Sequence, residues 1–232
     1  METPALICDS SSLISITDAC LDNLFPYLTN KFNLKFIVPP SVEYETVTHP
    51  LQANLKQYAF SALRIKHAIY KKNLSKWDNP GEEIKQKTEE ILKIANNMFF
   101  VKGKPLRLIH LGETEALAIA KMYDIKNLLI DERTTRMLIE APFKLKEHLE
   151  DEFKIHIMVS RDNMQKFTEL IKGITCIRSS ELVIIGYENG YFDDYKEMKK
   201  EILEASLYKI KLSGCSIRFD EITEFIKSIS NL

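Results

Sequence analysis

The stretch Ala5-Leu6-Ile7-Cys8-Asp9-Ser10-Ser11-Ser12-Leu13-Ile14 decides how the rest of the chain is read. A short apolar run stops abruptly at a carboxylate, three serines follow, and the apolar pattern resumes at Leu13, Ile14 and Ile16. That is the pattern of a buried parallel strand leaving its C-terminal edge into a helix. It recurs along the chain. Phe36-Ile37-Val38 runs into Pro39-Pro40, with Ser41 as the expected N-cap of a helix beginning Val42-Glu43-Tyr44-Glu45. Leu128-Leu129-Ile130 ends at Asp131, and Ile155-His156-Ile157-Met158-Val159 ends at Ser160 as a fourth expected strand. Strands alternating with helices predict an α/β fold with a parallel sheet.

Two helical stretches, about 52–74 and 81–98, are expected between the second and third strands, separated by Trp77-Asp78-Asn79-Pro80-Gly81. In the second, Ile84, Thr88, Ile91, Ala95 and Met98 share one face. A further helix begins near Gly112-Glu113, with Ala116, Leu117, Ala120 and Tyr123 as its apolar face. Beyond about residue 160 the pattern reads as helices without strands, over 163–172, 179–189, 194–212 and 219–230.

Composition narrows the chemistry. Among 232 residues, 32 Lys+Arg face 33 Asp+Glu for a net charge of −1, which excludes a wholly basic nucleic-acid coat and an acidic disordered tail. With 45% hydrophobic residues, including 12 Phe and 9 Tyr, the chain can bury a sizeable core. No apolar run approaches the roughly 18 residues of a membrane span. Met1-Glu2-Thr3-Pro4 lacks the basic start of a signal peptide. The cysteines Cys8, Cys20, Cys176 and Cys215 form no C-x-x-C pair, so a cytoplasmic protein with free thiols and no membrane partner is expected. The seven glycines form neither a dinucleotide-binding nor a P-loop fingerprint. Five isolated histidines offer no zinc spacing, and no G-x-S-x-G elbow is present. Carboxylates are left as the chemistry to follow.

In an open parallel sheet, residues just past the C-terminal strand ends converge on one crevice. Asp9 and Asp131 each end an expected strand, while Glu45 and Glu113 each lie in the first turn of an expected helix. Like charges about 4 Å apart repel by several kcal/mol at an effective dielectric of about 20. A divalent cation relieves that repulsion, and an oxygen-only ligand set selects Mg²⁺ or Mn²⁺ over zinc. Such an ion, keeping open positions for phosphate oxygens, suits phosphodiester hydrolysis. Removing these four acids from the total of −1 leaves +3 on the remainder, as suits a polyanion ligand. Taken singly, an Asp after a strand is more often a helix cap than a ligand, and a Glu in a first helical turn is usually there for the helix dipole.

Four segments together resemble the acidic motifs of the PIN-domain nucleases, the VapC-like ribonucleases of prokaryotes and archaea. They are Ile7-Cys8-Asp9-Ser10-Ser11-Ser12-Leu13-Ile14, Val38-Pro39-Pro40-Ser41-Val42-Glu43-Tyr44-Glu45, Leu111-Gly112-Glu113-Thr114-Glu115-Ala116-Leu117-Ala118-Ile119-Ala120 and Leu129-Ile130-Asp131-Glu132-Arg133-Thr134-Thr135-Arg136. The resemblance covers roughly residues 5–160 in the family's order. It implies a three-layer α/β/α nuclease domain over 1–160 with a sheet of about four to five strands and a helical insertion at about 50–105, followed by a helical extension over 161–232. It also implies a metal-dependent endoribonuclease of toxin or RNA-processing type. Single-stranded RNA is its substrate, Mg²⁺ or Mn²⁺ its cofactor, and an antitoxin or a second copy its partner. Asp9, Glu45, Glu113 and Asp131 carry the metal in that reading, and the Ser11 hydroxyl places a ligand or water.

Glu43, Glu115 and Glu132 are the alternatives to Glu45, Glu113 and Asp131. Glu45 stands three residues after Val42, as in the family pattern. Leu117 and Ala120 place Glu113 on the buried face and leave Glu115, about 200° around the helix, toward solvent. In the insertion, Arg64, Lys66, His67, Lys71, Lys72 and Lys76 with Tyr70 and Trp77 make a basic, aromatic stretch that could track phosphates and stack bases, or form a lid. A phosphatase of the haloacid-dehalogenase type needs a second Asp where Ser11 stands, and a response-regulator receiver needs a Lys where Ser160-Arg161 follows the strand. The rival from another class is a catalytically silent PIN fold serving as a nucleic-acid-binding or assembly module.

Overall fold

The computed structural model describes residues 4–78 and 80–230. Met1 to Thr3, with the N-terminal reading made on them, and Asn79 of the 77–81 linker lie outside the described residues. In chain order the strands are β1 (Ala5–Cys8), β2 (Lys35–Val38), β3 (Ser75–Lys76), β4 (Phe99–Val101), β5 (Lys104–Pro105), β6 (Asn127–Leu129), β7 (Met158–Val159) and β8 (Thr175–Ile177). The first helices are α1 (Ser10–Asp18), α2 (Leu24–Phe32), α3 (Pro40–Glu43), α4 (His49–Gln52), α5 (Ala59–Tyr70), α6 (Glu82–Ala95) and α7 (Leu111–Met122). They are followed by α8 (Arg133–Glu140), α9 (Pro142–Phe153), α10 (Arg161–Ile171), α11 (Ser179–Glu188), α12 (Lys199–Leu212) and α13 (Phe219–Ser230). A π-helical turn, Tyr44–Thr48, joins α3 to α4.

Five strands form a parallel sheet in the order β3-β2-β1-β6-β8. Ile7 lies opposite Ile37 on one side and Leu128 on the other. Because successive strand side chains point to opposite faces, the short apolar runs feed two cores. Leu6, Cys8, Phe36, Val38 and Leu129 pack with Leu13, Leu24, Ile65, Leu182, Leu203 and Ile222. Ile7, Ile37 and Leu128 pack with Ile84, Ile91, Ala116, Leu138, Leu145 and Phe167 on the reverse. Each fully buried Leu, Ile or Phe contributes about 1.5–3 kcal/mol, so a four-residue strand such as β1 is held by what covers it. The result is the three-layer α/β/α fold with a five-stranded parallel sheet.

One strand expectation fails. Met158 and Val159 pair antiparallel with Phe100 and Phe99 in a small sheet ordered β5-β4-β7, so this segment is no part of the parallel sheet. The fifth parallel strand comes instead from Thr175-Cys176-Ile177, beside β6, inside the region read as helices only. Met158 is 50% exposed, as befits a strand on a small peripheral sheet rather than one buried on both faces. Three residues are too few to show a period, which is why β8 went unread.

The two insertion helices form no lid. Ile65 of α5 sits in one core, Ile84 and Ile91 of α6 in the other, and β3 between them extends the sheet beside β2. Part of the basic stretch is consumed in packing. Arg64 pairs with Asp22, Lys76 with Glu43 at 3.4 Å, and Trp77 meets Tyr123 edge-on at 4.6 Å. Lys66, His67, Tyr70, Lys71 and Lys72 remain exposed. All four cysteines are unpaired. Among the described residues no helix is long and apolar enough to cross a membrane.

Candidate functional site

From β1 the sheet is extended through β2 to one side and through β6 to the other, so the crevice beyond their C-terminal ends is a topological switch point, where open α/β sheets bind ligands. Asp9 leaves β1 into it and caps α1. Its Oδ2 accepts the Ser11 N–H at 3.0 Å and the Ser11 Oγ–H at 2.6 Å. The side chain is buried, and its pKa is pushed up to about 7, first by burial and next by the charge of Glu113, against the hydrogen bonds from Ser10 and Ser11.

Glu113 lies in the first turn of α7, where its Oε2 accepts the backbone N–H of His110 at 3.1 Å. Burial raises its pKa too, with the nearby Glu45 adding to the rise. Glu45 projects from the π turn, and its Oε2 accepts the Ser10 Oγ–H at 2.6 Å. A Cβ at Gly112 would stand 3.1 Å from that same oxygen, so the glycine lets Glu45 lie against the start of α7. Three of the four expected acids are therefore coupled in series, Glu45 to Glu113 to Asp9. Among the described residues no lysine or arginine pairs with any of them.

The fourth acid is placed differently. Asp131 is 0% exposed, and its two oxygens are taken by Ser179 at the start of α11: Oδ1 accepts the N–H at 2.7 Å, Oδ2 the Oγ–H at 2.6 Å. Its backbone N–H donates to Ser11 Oγ at 3.2 Å, so Ser11 bridges Asp9 and the Asp131 main chain. Asp131 is near the crevice, but its carboxylate faces the next strand end. Among the described residues no group of three or more Asp, Glu, His or Cys side chains is gathered in metal-holding geometry.

Of the alternatives, Glu43 turns away to Thr48 Oγ1 at 3.1 Å and to Lys76. Glu132 caps α8, accepting the N–H groups of Thr134 at 2.9 Å and Thr135 at 2.5 Å. Glu115 corrects the sequence reading, since it is buried rather than turned to solvent, and its Oε2 accepts the Ser41 N–H at 2.7 Å and the Ser41 hydroxyl. It thereby serves the start of α3, whose N-cap is Pro39 rather than the expected Ser41. An acid on one helix capping another is invisible to a helical wheel. The serine partners Ser10 and Ser179 were also missed, although a serine just past a strand is the usual sign of a capping hydroxyl.

By donor chemistry Asp9, Glu45 and Glu113, oxygen only and without a lysine or arginine partner among the described residues, match what a hard divalent ion takes, although the three carboxylates are not gathered around one point and the His110 charge acts on Glu113. Asp131, with both oxygens engaged, does not add to it. Beneath Asp9 and Glu113 lies a void of about 10 Å³, near the lower limit for one water, lined also by Thr135, whose buried Oγ1 has no hydrogen-bond partner. Comparison of the chain with protein-family models, with curated proteins and with solved structures found no match in any of the three.

Proposed function

We propose that this chain is an Mg²⁺- or Mn²⁺-dependent endoribonuclease hydrolysing single-stranded RNA, with Asp9, Glu45 and Glu113 holding the ion and Asp131 acting as a positioning residue. One observation carries the reading: the buried Asp9 carboxylate sits beside Glu113 at a sheet switch point, with no lysine or arginine among the described residues paired to either, and burial and the Glu113 charge push its pKa up to about 7. Bound there, a divalent ion supplies Lewis acidity and a water made nucleophilic near neutral pH. The chain's own part is orientation. Ser11 fixes the Asp9 carboxylate, Ser10 fixes Glu45, and the His110 N–H fixes Glu113, and an arriving ion would draw the three carboxylates together from these positions. The exposed Glu45 and the half-buried Glu113 give the buried Asp9 a solvent-facing side.

The test is Mn²⁺ calorimetry together with cleavage of single-stranded RNA by wild type and Asp9→Asn. Metal binding and cleavage in wild type, both lost in the variant, support the proposal; cleavage by Asp9→Asn at the wild-type rate rejects it. A second reading has one observation in its favour, the Asp131 carboxylate spent on Ser179. It makes the chain a silent nucleic-acid-binding or assembly module of the same fold, and the same calorimetry would then detect no Mn²⁺ site. Toxin and RNA-processing roles share this chemistry, as do a cytoplasmic setting and a partnership with an antitoxin or a second copy.

A further inference from the structure

Beside the carboxylates, the α8–α9 connection and the turn between α12 and α13 enclose an open cleft of about 750 Å³. Five cations line it: Arg133, Arg136, Lys144, Lys211 and Arg218. Of the acids that share the lining, two are engaged elsewhere and two face lining cations. Glu132 is spent on the first turn of α8 and Asp131 on Ser179, while Glu221 pairs with Arg178 at 2.8 Å and with the lining Arg218 at 3.5 Å, which also pairs with Asp220 at 3.0 Å. Glu140 stands 3.6 Å from Arg136 Nε, whose buried N–H makes no hydrogen bond. Arg133 and Lys144 form no ion pair among the described residues, and Lys211 is met only by an aromatic face, that of the half-exposed Phe219, 5.6 Å from its Nζ.

We propose that this cleft takes the phosphate backbone of the single-stranded RNA on one side of the cleaved bond, an inference that rests on the nuclease reading. Two features support it. Arg133, Lys144 and Lys211, which form no ion pair among the described residues, suit a chain of phosphates, which they would bind by releasing counterions. The cleft also begins next to the acids, because Asp131 in its wall is joined through Ser11 Oγ to Asp9. Two of the five cations, Lys211 and Arg218, come from the region after residue 160, which gives that region a direct part in substrate binding.

The experiment measures binding of a fluorescein-labelled single-stranded RNA by anisotropy in EDTA, so that cleavage cannot intervene, across about 50 to 200 mM salt. The Arg133→Ala/Lys144→Ala double variant changes only exposed side chains and should lower the slope of log affinity against log salt by about 1.4, at about 0.7 per lost single-strand contact. Lys71→Ala/Lys72→Ala, at the end of α5, should leave the slope as in wild type. An unchanged slope in the first variant, a loss confined to the second, or no RNA binding by wild type would each overturn the cleft assignment. Cleavage by wild type in Mn²⁺ is scored separately. Cleavage with an unchanged slope rejects the cleft alone, whereas a slope change without cleavage keeps the cleft as a nucleic-acid site and rejects the nuclease.

Discussion

The Asp131 carboxylate and Ser179 are bound to one another at both oxygens, 2.7 Å to the backbone N–H and 2.6 Å to the hydroxyl, in a fully buried contact between the ends of β6 and β8. This ties the start of α11 to the strand that precedes α8 and closes the sheet at its β8 edge. Asp9 also has two donors on Ser11, but both reach one oxygen and the Glu113 charge repels it, whereas each Asp131 oxygen holds a donor of its own, so Asp131 and Asp9 should respond oppositely to loss of charge.

Asp131→Asn presents an amide N–H to one of the two Ser179 donors. The expected cost is about 2–3 kcal/mol, since a buried donor loses its acceptor, which lowers Tm by roughly 5–10 °C for a chain of this size. Ser179→Ala should cost about half as much. Thermal unfolding followed by circular dichroism in EDTA measures both, and an Asp131→Asn melt at or above wild type would contradict the arrangement.

Asp9 should make stability fall as pH rises. Its folded pKa, about 7, lies above the usual 3.8, so the folded state keeps a proton that the unfolded chain has already released, and stability drains away between about pH 4 and pH 7. Asp9→Asn cannot ionise, so it should gain on the wild type across this window, by up to about 4 kcal/mol at pH 8. Urea unfolding without metal at about pH 5 and pH 8 checks the sign; a gap that fails to widen with pH would count against the burial of a carboxyl here.

Glu115→Gln and Glu43→Gln separate two readings of α7 and α3. The carboxylate that caps Ser41 is buried, so Glu115→Gln should cost about 1–2 kcal/mol. Glu43→Gln loses a half-exposed pair with Lys76 and should stay within about 0.5 kcal/mol of wild type. The order of their melting temperatures decides the matter, since a helical wheel of α7 alone makes Glu115 the silent position.

Gly112→Ala tests how Glu45 is seated. The new Cβ would crowd Glu45 Oε2 at 3.1 Å, while alanine in a helix is otherwise favourable by roughly 0.5–1 kcal/mol. The variant should therefore fold with near-native stability yet bind Mn²⁺ several-fold more weakly in calorimetry. Unaltered affinity would place Glu45 outside the ion's reach.

Metal itself should stabilise the wild type, by about 2.7 kcal/mol at a concentration one hundred times Kd. Mn²⁺ should raise Tm in wild type, less in Glu113→Gln or Glu45→Gln, and not at all in Asp9→Asn. EDTA should abolish cleavage, and Zn²⁺ should replace Mn²⁺ poorly for want of nitrogen or sulfur donors. Cleavage that persists after exhaustive chelation would end the metal reading.

The amino-acid sequence by itself determined the parallel strands β1, β2 and β6 and most of the helices, because short apolar runs closed by Asp or Pro and long runs of 3.6-residue period are local signals. It also placed Asp9 and Asp131 at strand ends and Glu113 in a first helical turn, since those positions depend only on where an element starts or stops. Where a side chain points once it gets there was decided by tertiary structure. Asp131 meets Ser179, 48 residues on, because β8 lies beside β6, and nothing in three residues, Thr175-Cys176-Ile177, announces that pairing. Glu115 turns inward because Ser41 waits on α3, and Glu45 reaches the start of α7 because a π turn carries it and Gly112 leaves room. Local pattern sets the elements, whereas burial, capping and charge coupling between distant segments set the direction of each carboxylate, and those energies exist only when the segments are packed.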